Sequence, residues 1–183
     1  ILDQSALRYV GFDEIAYLPA KDNVEVALVG IDATLKERNP QEIIALVVLA
    51  IKRSPIVIPY FHWGNEYAHD PNQHQQDLAH AAIEAGAALV LGSHPHWVQA
   101  VELYKEKLIV YSHGNLVFDQ FWSEKTRQGI LGEYIFIDNT LVDAHFQPMY
   151  IGNEYKPHAL SGEAAQVVIT QMLEASERLD SYE

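Results

Sequence analysis

Apolar residues occur with strand periodicity at several points in the first two thirds of the chain. Residues 24–31, VEVALVGI, alternate and then run apolar, which predicts a strand that enters the core of a sheet. Short apolar segments at 56–61, 87–91 and 107–112 predict three further buried strands. The first of these three ends at His62, and the last ends just before a histidine as well.

Helix start signals separate these strands. The segment NPQE at 39–42 combines an N-cap asparagine, a proline for the first helical position and a glutamate for a capping box. It predicts a helix over about 40–53. The segment DPNQ at 70–73 repeats the signal and predicts a helix that Gly86 ends.

The pattern changes after about residue 129. The segments GILGEYIFID and TLVDAHFQPMYI predict two successive strands, and residues 161–179 have the periodicity of an amphipathic helix. Strand–helix–strand alternation followed by antiparallel strands and a terminal helix predicts a layered α/β fold.

Composition excludes several classes of function. The 183 residues include 12 Lys and Arg against 25 Asp and Glu, a formal net charge of −13, which disfavours a nucleic-acid surface. There is no cysteine, hence no disulfide, thiolate ligand or cysteine nucleophile. The longest apolar run, residues 43–51, is too short to cross a bilayer. The start, ILDQSALRYV, has neither an initiator Met nor a signal-peptide layout and indicates a chain entered part-way.

Histidines follow three of the predicted strands. His62 lies in FHWGNEY, His94 and His96 lie in GSHPH, and His113 lies in YSHGN. Functional groups gather beyond the carboxyl ends of the strands in open α/β sheets, so we expect these rings to approach one another. Neutral imidazole is a good ligand for zinc, iron and manganese. The pattern favours a metal site, although a histidine-rich turn is the simpler alternative.

The other candidates have less support. Asp32 also follows a strand and could ligate a metal, but a structural role is the better interpretation. His80 and Glu84 are one helical turn apart and are expected to pair at the surface. His69 and His74 are expected to be solvated. His145 and His158 are expected to have structural roles.

Two blocks of the sequence carry a family likeness. HWGNEY and GAALVLGSHPHWVQAVELYKEKLIVYSHGNLVFDQ resemble the CapA family of bacterial capsule or poly-γ-glutamate biosynthesis proteins. The similarity is strongest over about 56–122 and extends more faintly over about 20–150. Because that family's domain has the calcineurin-like metallophosphoesterase fold, the resemblance implies a layered β-sandwich flanked by helices.

The resemblance also implies metal ligands. His62 is similar to the single histidine of the fourth metallophosphoesterase block, and His94 and His96 are similar to the paired histidines of the fifth. In that architecture His62 and His94 would bind one divalent ion and His96 a second. Manganese, iron and zinc all suit such ligands.

Three further residues match family positions, and one departs from them. Glu66, Tyr67 and Asn115 match, which implies a supporting role in orienting ligands or contacting substrate. The family has leucine where this chain has His113, so that ring is either a local novelty or an additional polar contact.

The first three blocks of the fold are absent from residues 1–23, where the resemblance would place them. These blocks are an Asp-x-His, a bridging Asp after Gly-Asp and a Gly-Asn-His, and the bridging carboxylate holds two metal ions together. We therefore expect residues 1–160 to be the C-terminal portion of a CapA-like domain with its N-terminal part missing. Residues 161–183 would be an appended amphipathic helix.

Three functions remain open at this point. The first is a two-metal hydrolase acting on a phosphoester or polyanionic substrate. The family name implies an alternative substrate for such a hydrolase, which is an amide bond or a polymer end. The second is a non-catalytic metal-binding or scaffold component of a cell-envelope polymer complex, with a homo-oligomer or envelope partner. The third is a structural α/β domain with incidental histidines.

Overall fold

The computed structural model describes residues 9–20 and 24–180. Within these ranges the chain forms nine strands, three α-helices and a short 3₁₀ helix at Lys125–Arg127. The strands are β1 (Ile15–Pro19), β2 (Glu25–Asp32), β3 (Ile56–His62), β4 (Val90–Ser93), β5 (Val101–Tyr104), β6 (Lys107–Val110), β7 (Gln128–Ile137), β8 (Thr140–Ile151) and β9 (Pro157–Ala159). The helices are α1 (Pro40–Ile51), α2 (Gln73–Glu84) and α3 (Gly162–Asp180).

The first six strands form one mixed sheet in the order β1-β2-β3-β4-β6-β5. The inner strands β2, β3, β4 and β6 run parallel, and β1 and β5 pair antiparallel at the two edges. The last three strands form a separate antiparallel sheet, β7-β8-β9. The mixed α/β class predicted from the sequence is confirmed.

The two faces of the large sheet are covered differently, as β3 shows. Val57 and Phe61 face the core shared with α1 and α2. Ile56 and Ile58 point the other way, into a cluster that includes residues of β7 and β8. The alternation follows from the two-residue period of a strand, and burying each such side chain stabilises the fold by about 1.5–3 kcal/mol.

Helix α3 packs against residues of both sheets. Val168 and Met172 pack against Val98 and Ile130. The hydroxyl oxygen of Ser176 accepts a hydrogen bond from the backbone N–H of Val101 at 2.9 Å, which ties α3 to the edge strand β5. No helix within the described ranges is both long and apolar enough to cross a membrane.

The helix starts agree with the sequence in part. The side chain of Asn39 accepts from the backbone N–H of Glu42, as predicted, but the Glu42 carboxylate bonds Lys36 and Arg38 instead of completing a capping box. Helix α2 begins two residues later than the DPNQ signal suggests, because Asn72 is the N-cap and forms the capping box with Gln75.

Three short strands were not predicted: β1, β5 and β9. Each has at most five residues and lies at a sheet edge, where pairing with a neighbour supplies the hydrogen bonds that define it. β5 joins β6 through Lys105 and Glu106, which both have positive φ (47° and 62°). Such tight turns usually carry Gly or Asn, so this one gave no recognisable signal in the sequence.

Candidate metal-binding site

The candidate ligands lie beyond the carboxyl ends of β3 and β4. His62 is the last residue of β3, and its strand neighbours in register are Asp32 on β2 and Ser93 on β4. His94 follows directly after β4. A cavity of about 190 Å³ opens beside these residues and is lined in part by Asp32, His62 and Ser93.

The turn that carries the paired histidines has an unusual backbone. His94 and His96, on either side of Pro95, have φ of 99° and 60°, and Tyr67 has φ of 62°. The backbone N–H of Tyr67 donates to the carbonyl oxygen of Pro95 at 2.8 Å. Left-handed conformations cost non-glycine residues on the order of 1–3 kcal/mol each, so the surrounding contacts must hold this turn in place.

His62 and His94 approach each other closely. The Nε2 atom of His62 lies 3.1 Å from Nδ1 of His94. The two rings meet edge to face, with centroids 4.6 Å apart. On the far side of the His62 ring, Nδ1 faces the hydroxyl oxygen of Ser93 at 3.4 Å. The predicted convergence of these two histidines is therefore present in the fold.

Charge and burial keep both rings in their neutral form over a wider pH range. Burial lowers the pKa of His62, and the neighbouring His96 lowers it further against the opposing effect of Asp32. Burial also lowers the pKa of His94, and the charge on His62 adds to the effect. Neutral imidazole is the form that binds a metal ion.

Asp32 is the neighbour of His62 in the sheet, but its side chain has a structural role. Burial alone would raise the pKa of its carboxyl group, yet hydrogen bonds from Leu35 and Thr34 outweigh burial and leave the pKa lowered. Its Oδ1 atom accepts from both backbone N–H groups and from the Thr34 hydroxyl. The carboxylate thus closes the turn after β2, as the structural interpretation of Asp32 predicted.

His96 is held from two sides. Its Nδ1 lies 2.9 Å from Oδ1 of Asn115. Its Nε2 lies 3.8 Å from a carboxylate oxygen of Glu66, and the ring of Tyr67 stacks over it at 5.8 Å between centroids. Glu66, Tyr67 and Asn115 all contact His96, so the structure brings these three predicted supporting residues together around one ring.

An aromatic wall borders His96 on the loop after β6. Phe118 lies 4.9 Å from the His96 ring, and Trp122 meets Tyr67 edge to face at 4.7 Å. The amide of Gln120 donates to the Tyr67 hydroxyl at 3.2 Å. These loop residues were missed in the sequence, because nothing in NLVFDQFW predicts which way the loop folds.

His113 forms its hydrogen bonds with residues other than the three candidate ligands. Its Nδ1 lies 3.2 Å from the carbonyl oxygen of Gly92, and its Nε2 lies 2.6 Å from the hydroxyl of Tyr134 on β7. Burial lowers its pKa against the effect of the Gly92 carbonyl. Both ring nitrogens are occupied, so His113 is the additional polar contact that the sequence allowed, and it joins the two sheets.

Trp63, the second residue of the His-Trp-Gly block, has a structural role. Trp63 is fully buried, stacks on Phe61 at 4.2 Å and donates its indole N–H to the carbonyl oxygen of Tyr111 at 2.8 Å. Gly92 leaves room for this contact, because a Cβ there would lie 2.1 Å from the Tyr111 oxygen.

The predictions for His69 and His80 were wrong. His69 is partly buried and its Nδ1 bonds the carbonyl oxygen of Val98 at 2.8 Å. His80 bonds Glu102 at 2.7 Å instead of Glu84, because β5 brings Glu102 alongside α2. The Glu84 carboxylate accepts from Tyr104 and Lys105. A long-range contact replaces the predicted helical pair.

The others differ in their surroundings. His74 has its Nε2 atom buried without a hydrogen-bond partner in the described part of the chain, so it is not solvated as predicted. His145 and His158 are exposed on the second sheet, and His145 lies 3.1 Å from Asp143.

The donor atoms fit a divalent transition metal in kind but not in number. Two imidazole nitrogens on one zinc ion are roughly 3.3 Å apart, close to the His62–His94 separation. However, no group of three or more His, Asp or Glu side chains in the described residues is arranged to hold a metal ion. A complete coordination shell would need further ligands.

Comparison with known proteins gives three informative relatives. The PGA biosynthesis protein CapA of Bacillus subtilis (strain 168) is 43% identical over 96 residues, 52% of this chain and 25% of the relative. The capsule biosynthesis protein CapA of Bacillus anthracis is 43% identical over 84 residues, 46% of this chain and 20% of the relative. A probable polyglutamine synthesis accessory protein of Mycobacterium tuberculosis (strain CDC 1551 / Oshkosh) is 33% identical over 84 residues, 45% of this chain and 22% of the relative.

The aligned region spans a quarter or less of the length of each of these relatives. The family model of the bacterial capsule synthesis protein PGA_cap matches residues 13–120, which is more than half of this chain and includes His62, His94 and His96. The chain therefore belongs to the PGA_cap family of bacterial capsule synthesis proteins.

Proposed function

We propose that this chain supplies part of a metal-dependent hydrolase site of the metallophosphoesterase type to a protein of capsule or poly-γ-glutamate biosynthesis. The observation that carries the proposal is the approach of His62 Nε2 to His94 Nδ1 at 3.1 Å, beyond the ends of two parallel strands. The arrangement of helices on one face of the large sheet and a second sheet on the other supports a metallophosphoesterase-like layering.

The histidines would act as neutral ligands. His62 and His94 would hold one divalent ion, and His96 would offer its Nε2 atom to a second, with manganese, iron or zinc as the metal. The bound metal would lower the pKa of a water molecule and so generate the nucleophile for hydrolysis. The low pKa values of His62 and His94 keep their nitrogens free of competing protons.

The substrate class in this proposal is a phosphoester or a polyanionic polymer of the cell envelope, and nucleic acid is not expected because the chain has a net charge of −13. The names of the relatives point to poly-γ-glutamate or polyglutamine synthesis for those proteins. Association with an envelope complex or with a second copy is part of the same proposal.

A second candidate is a non-catalytic metal-binding or scaffold component of such a complex. The observation that favours it is that the described residues bring together no group of three side chains able to hold a metal. The two candidates differ in whether bound metal leads to turnover.

Metal content tests the ligand assignment as a first step, before turnover separates the two candidates. The chain, a His94→Ala/His96→Ala variant and a His145→Ala/His158→Ala control are purified without chelator, equilibrated with Mn²⁺, Zn²⁺ or Fe²⁺, and assayed by elemental analysis. The control removes two exposed histidines of the second sheet. We expect bound metal in the chain and the control and its loss in the His94/His96 variant.

Equal metal in all three proteins would overturn the ligand assignment, and no metal in any of them would count against a site made by these histidines. Hydrolysis of bis(p-nitrophenyl) phosphate is then measured with the whole protein that carries this chain. Metal-dependent turnover supports the hydrolase, and bound metal without turnover supports the scaffold.

A further inference from the structure

Asn115 holds a position between His96 and the interior of the loop that follows β6. It is one of the few buried polar residues, with 8% of its surface exposed. Its Nδ2 atom donates to the backbone carbonyl oxygen of Thr126 at 2.9 Å, and its Oδ1 atom lies 2.9 Å from Nδ1 of His96. The side chain therefore connects the loop to a candidate metal ligand.

The carbonyl oxygen of Thr126 determines the orientation of the side-chain amide of Asn115. A carbonyl oxygen can only accept a hydrogen bond, so the amide atom facing it must be the –NH₂ group. The other amide atom, which faces His96, must then be the oxygen. An oxygen without hydrogen can only accept, so Nδ1 of His96 carries a proton, and in the neutral ring Nε2 is bare.

The loop itself is closed at its base. Gly114 and Gly129 form an isolated β-bridge, and the backbone N–H of Ile130 donates to the carbonyl oxygen of His113 at 2.8 Å. Thr126 is fully buried, and its hydroxyl lies 2.7 Å from the carbonyl oxygen of Gln120. Compact loops of this kind keep their shape through internal packing, so the acceptor for Asn115 is rigidly placed.

We infer that Asn115, anchored by Thr126, is a positioning residue that confines the proton of His96 to Nδ1 and presents Nε2 as a free lone pair on the side of Glu66. Neutral histidine in water carries its proton mostly on Nε2, so this environment reverses the ordinary preference. The value of the bare Nε2 for metal binding rests on the proposed function, whereas the location of the proton does not.

The location of the proton can be measured without any metal. Two-bond ¹H–¹⁵N correlation spectra of the ¹⁵N-labelled chain, freed of metal with EDTA at pH 7.5, report which nitrogen of each neutral ring is protonated. A His96→Gln variant assigns the His96 signals. We expect the Nδ1–H form for His96 in the wild-type chain and a change to mainly Nε2–H in Asn115→Leu.

Two controls distinguish this effect from local unfolding. His113 has its Nδ1 facing the Gly92 carbonyl, so its ring should keep the Nδ1–H form in every variant. Gln120→Ala removes a different loop contact, the bond to Tyr67, and should leave the His96 signals unchanged. Asn115→Asp retains an acceptor for Nδ1, so a proton should stay on that nitrogen even though the bond to Thr126 is lost.

Metal affinity is the second readout. Titration calorimetry with Zn²⁺ should show a 10- to 100-fold weaker binding by Asn115→Leu, the usual effect of losing a group that orients a metal-binding histidine. An Nε2–H ring in the wild-type chain, or an unchanged ring in Asn115→Leu, would overturn the inference. The expected ring states without Zn²⁺ binding by the wild-type chain would uphold the positioning role of Asn115 and contradict the proposed function instead.

Discussion

His62 Nε2 lies 3.1 Å from His94 Nδ1, although the two residues are 32 positions apart in the chain. In the neutral ring of His62, Ser93 favours a proton on Nδ1, because the Ser93 hydroxyl donates to the carbonyl oxygen of Phe61 and its oxygen can accept from Nδ1. The Nε2 atom of His62 is then bare. A bare nitrogen at this distance is stabilised either by a proton on His94 or by a cation between the rings.

The pair should bind a transition metal at lower pH than ordinary histidines do. The pKa values of His62 and His94 are both lowered, chiefly by burial, so protons compete with the metal only below the usual histidine range. We expect His62→Ala to weaken Mn²⁺ or Zn²⁺ binding at least about tenfold. Titration calorimetry between pH 5 and 8 measures the pH dependence of metal binding and the effect of the substitution. Unchanged metal affinity in His62→Ala would contradict the assignment of His62 as a ligand.

A methyl group at Gly92 should disrupt the contact between Trp63 and the backbone of Tyr111. Its Cβ would lie 2.1 Å from the carbonyl oxygen of Tyr111 and 2.5 Å from the indole nitrogen of Trp63. Because the first of these atoms is backbone and the second is fully buried, we expect Gly92→Ala to lower the free energy of unfolding by about 3 kcal/mol. Urea unfolding measures the change.

The matched control for that substitution is Gly11→Ala. A Cβ at Gly11 would meet no atom within 4 Å, so the free energy of unfolding should change by less than about 1 kcal/mol. Similar losses in the two variants would show that close approach at Gly92 does not determine the effect.

His113 should make the fold sensitive to acid. Burial lowers its pKa in the folded chain, whereas the unfolded chain protonates this ring near pH 6.5. The unfolded state therefore binds more protons below that pH, and stability is lost as the pH falls from about 6.5 towards the lower folded pKa. We expect His113→Leu to reduce this loss, measured as the free energy of unfolding between pH 7.5 and 5.

At neutral pH the same variant should be less stable by about 1–2 kcal/mol, because the Tyr134 hydroxyl loses its partner at 2.6 Å. His145→Leu removes an exposed histidine and should leave the pH dependence unchanged. Parallel pH profiles for the wild-type chain and His113→Leu would rule out a role for the buried ring.

Arg38 should be important for the end of strand β2. Its side chain is 9% exposed, donates to the Asp32 carbonyl oxygen at 2.8 Å and forms an ion pair with Asp13 at 2.7 Å. Because Asp13 is 37% exposed, we expect Arg38→Met to cost about 2 kcal/mol, less than the loss of a fully buried pair. Chemical denaturation measures the loss.

Lys36→Met is the comparison, since Lys36 is 63% exposed and pairs with Glu42, which Arg38 also contacts. An exposed pair of this kind contributes at most about 1 kcal/mol. Equal effects of the two substitutions would mean that the burial of Arg38 has no influence on its contribution.

Several features of the site could be predicted from the sequence because they depend on local signals. His62 ends an apolar strand, and the Gly-Ser-His-Pro-His turn follows another, so parallel strand order places them at one edge of the sheet. The helix start at Asn39 was also readable, since an N-cap acts on its own first turn.

Contacts between distant segments were not predictable. His80 has Glu84 one turn away but bonds Glu102, because the pairing of β5 with β6 carries Glu102 alongside α2. The wall at Phe118 and Trp122 likewise depends on how one loop folds back over Tyr67. Neither contact leaves a periodic pattern in the chain.

The sequence by itself determined the order of the three helices and of six of the nine described strands, the mixed α/β class and the edge of the sheet at which the histidines gather. Periodicity and caps carry that information within a few residues of each element. Only the tertiary structure decided which ring nitrogens of His62 and His94 face each other, that Asn115 faces His96 and that His113 joins the two sheets. Such pairings depend on register and loop closure, which arise when segments far apart in the chain pack together.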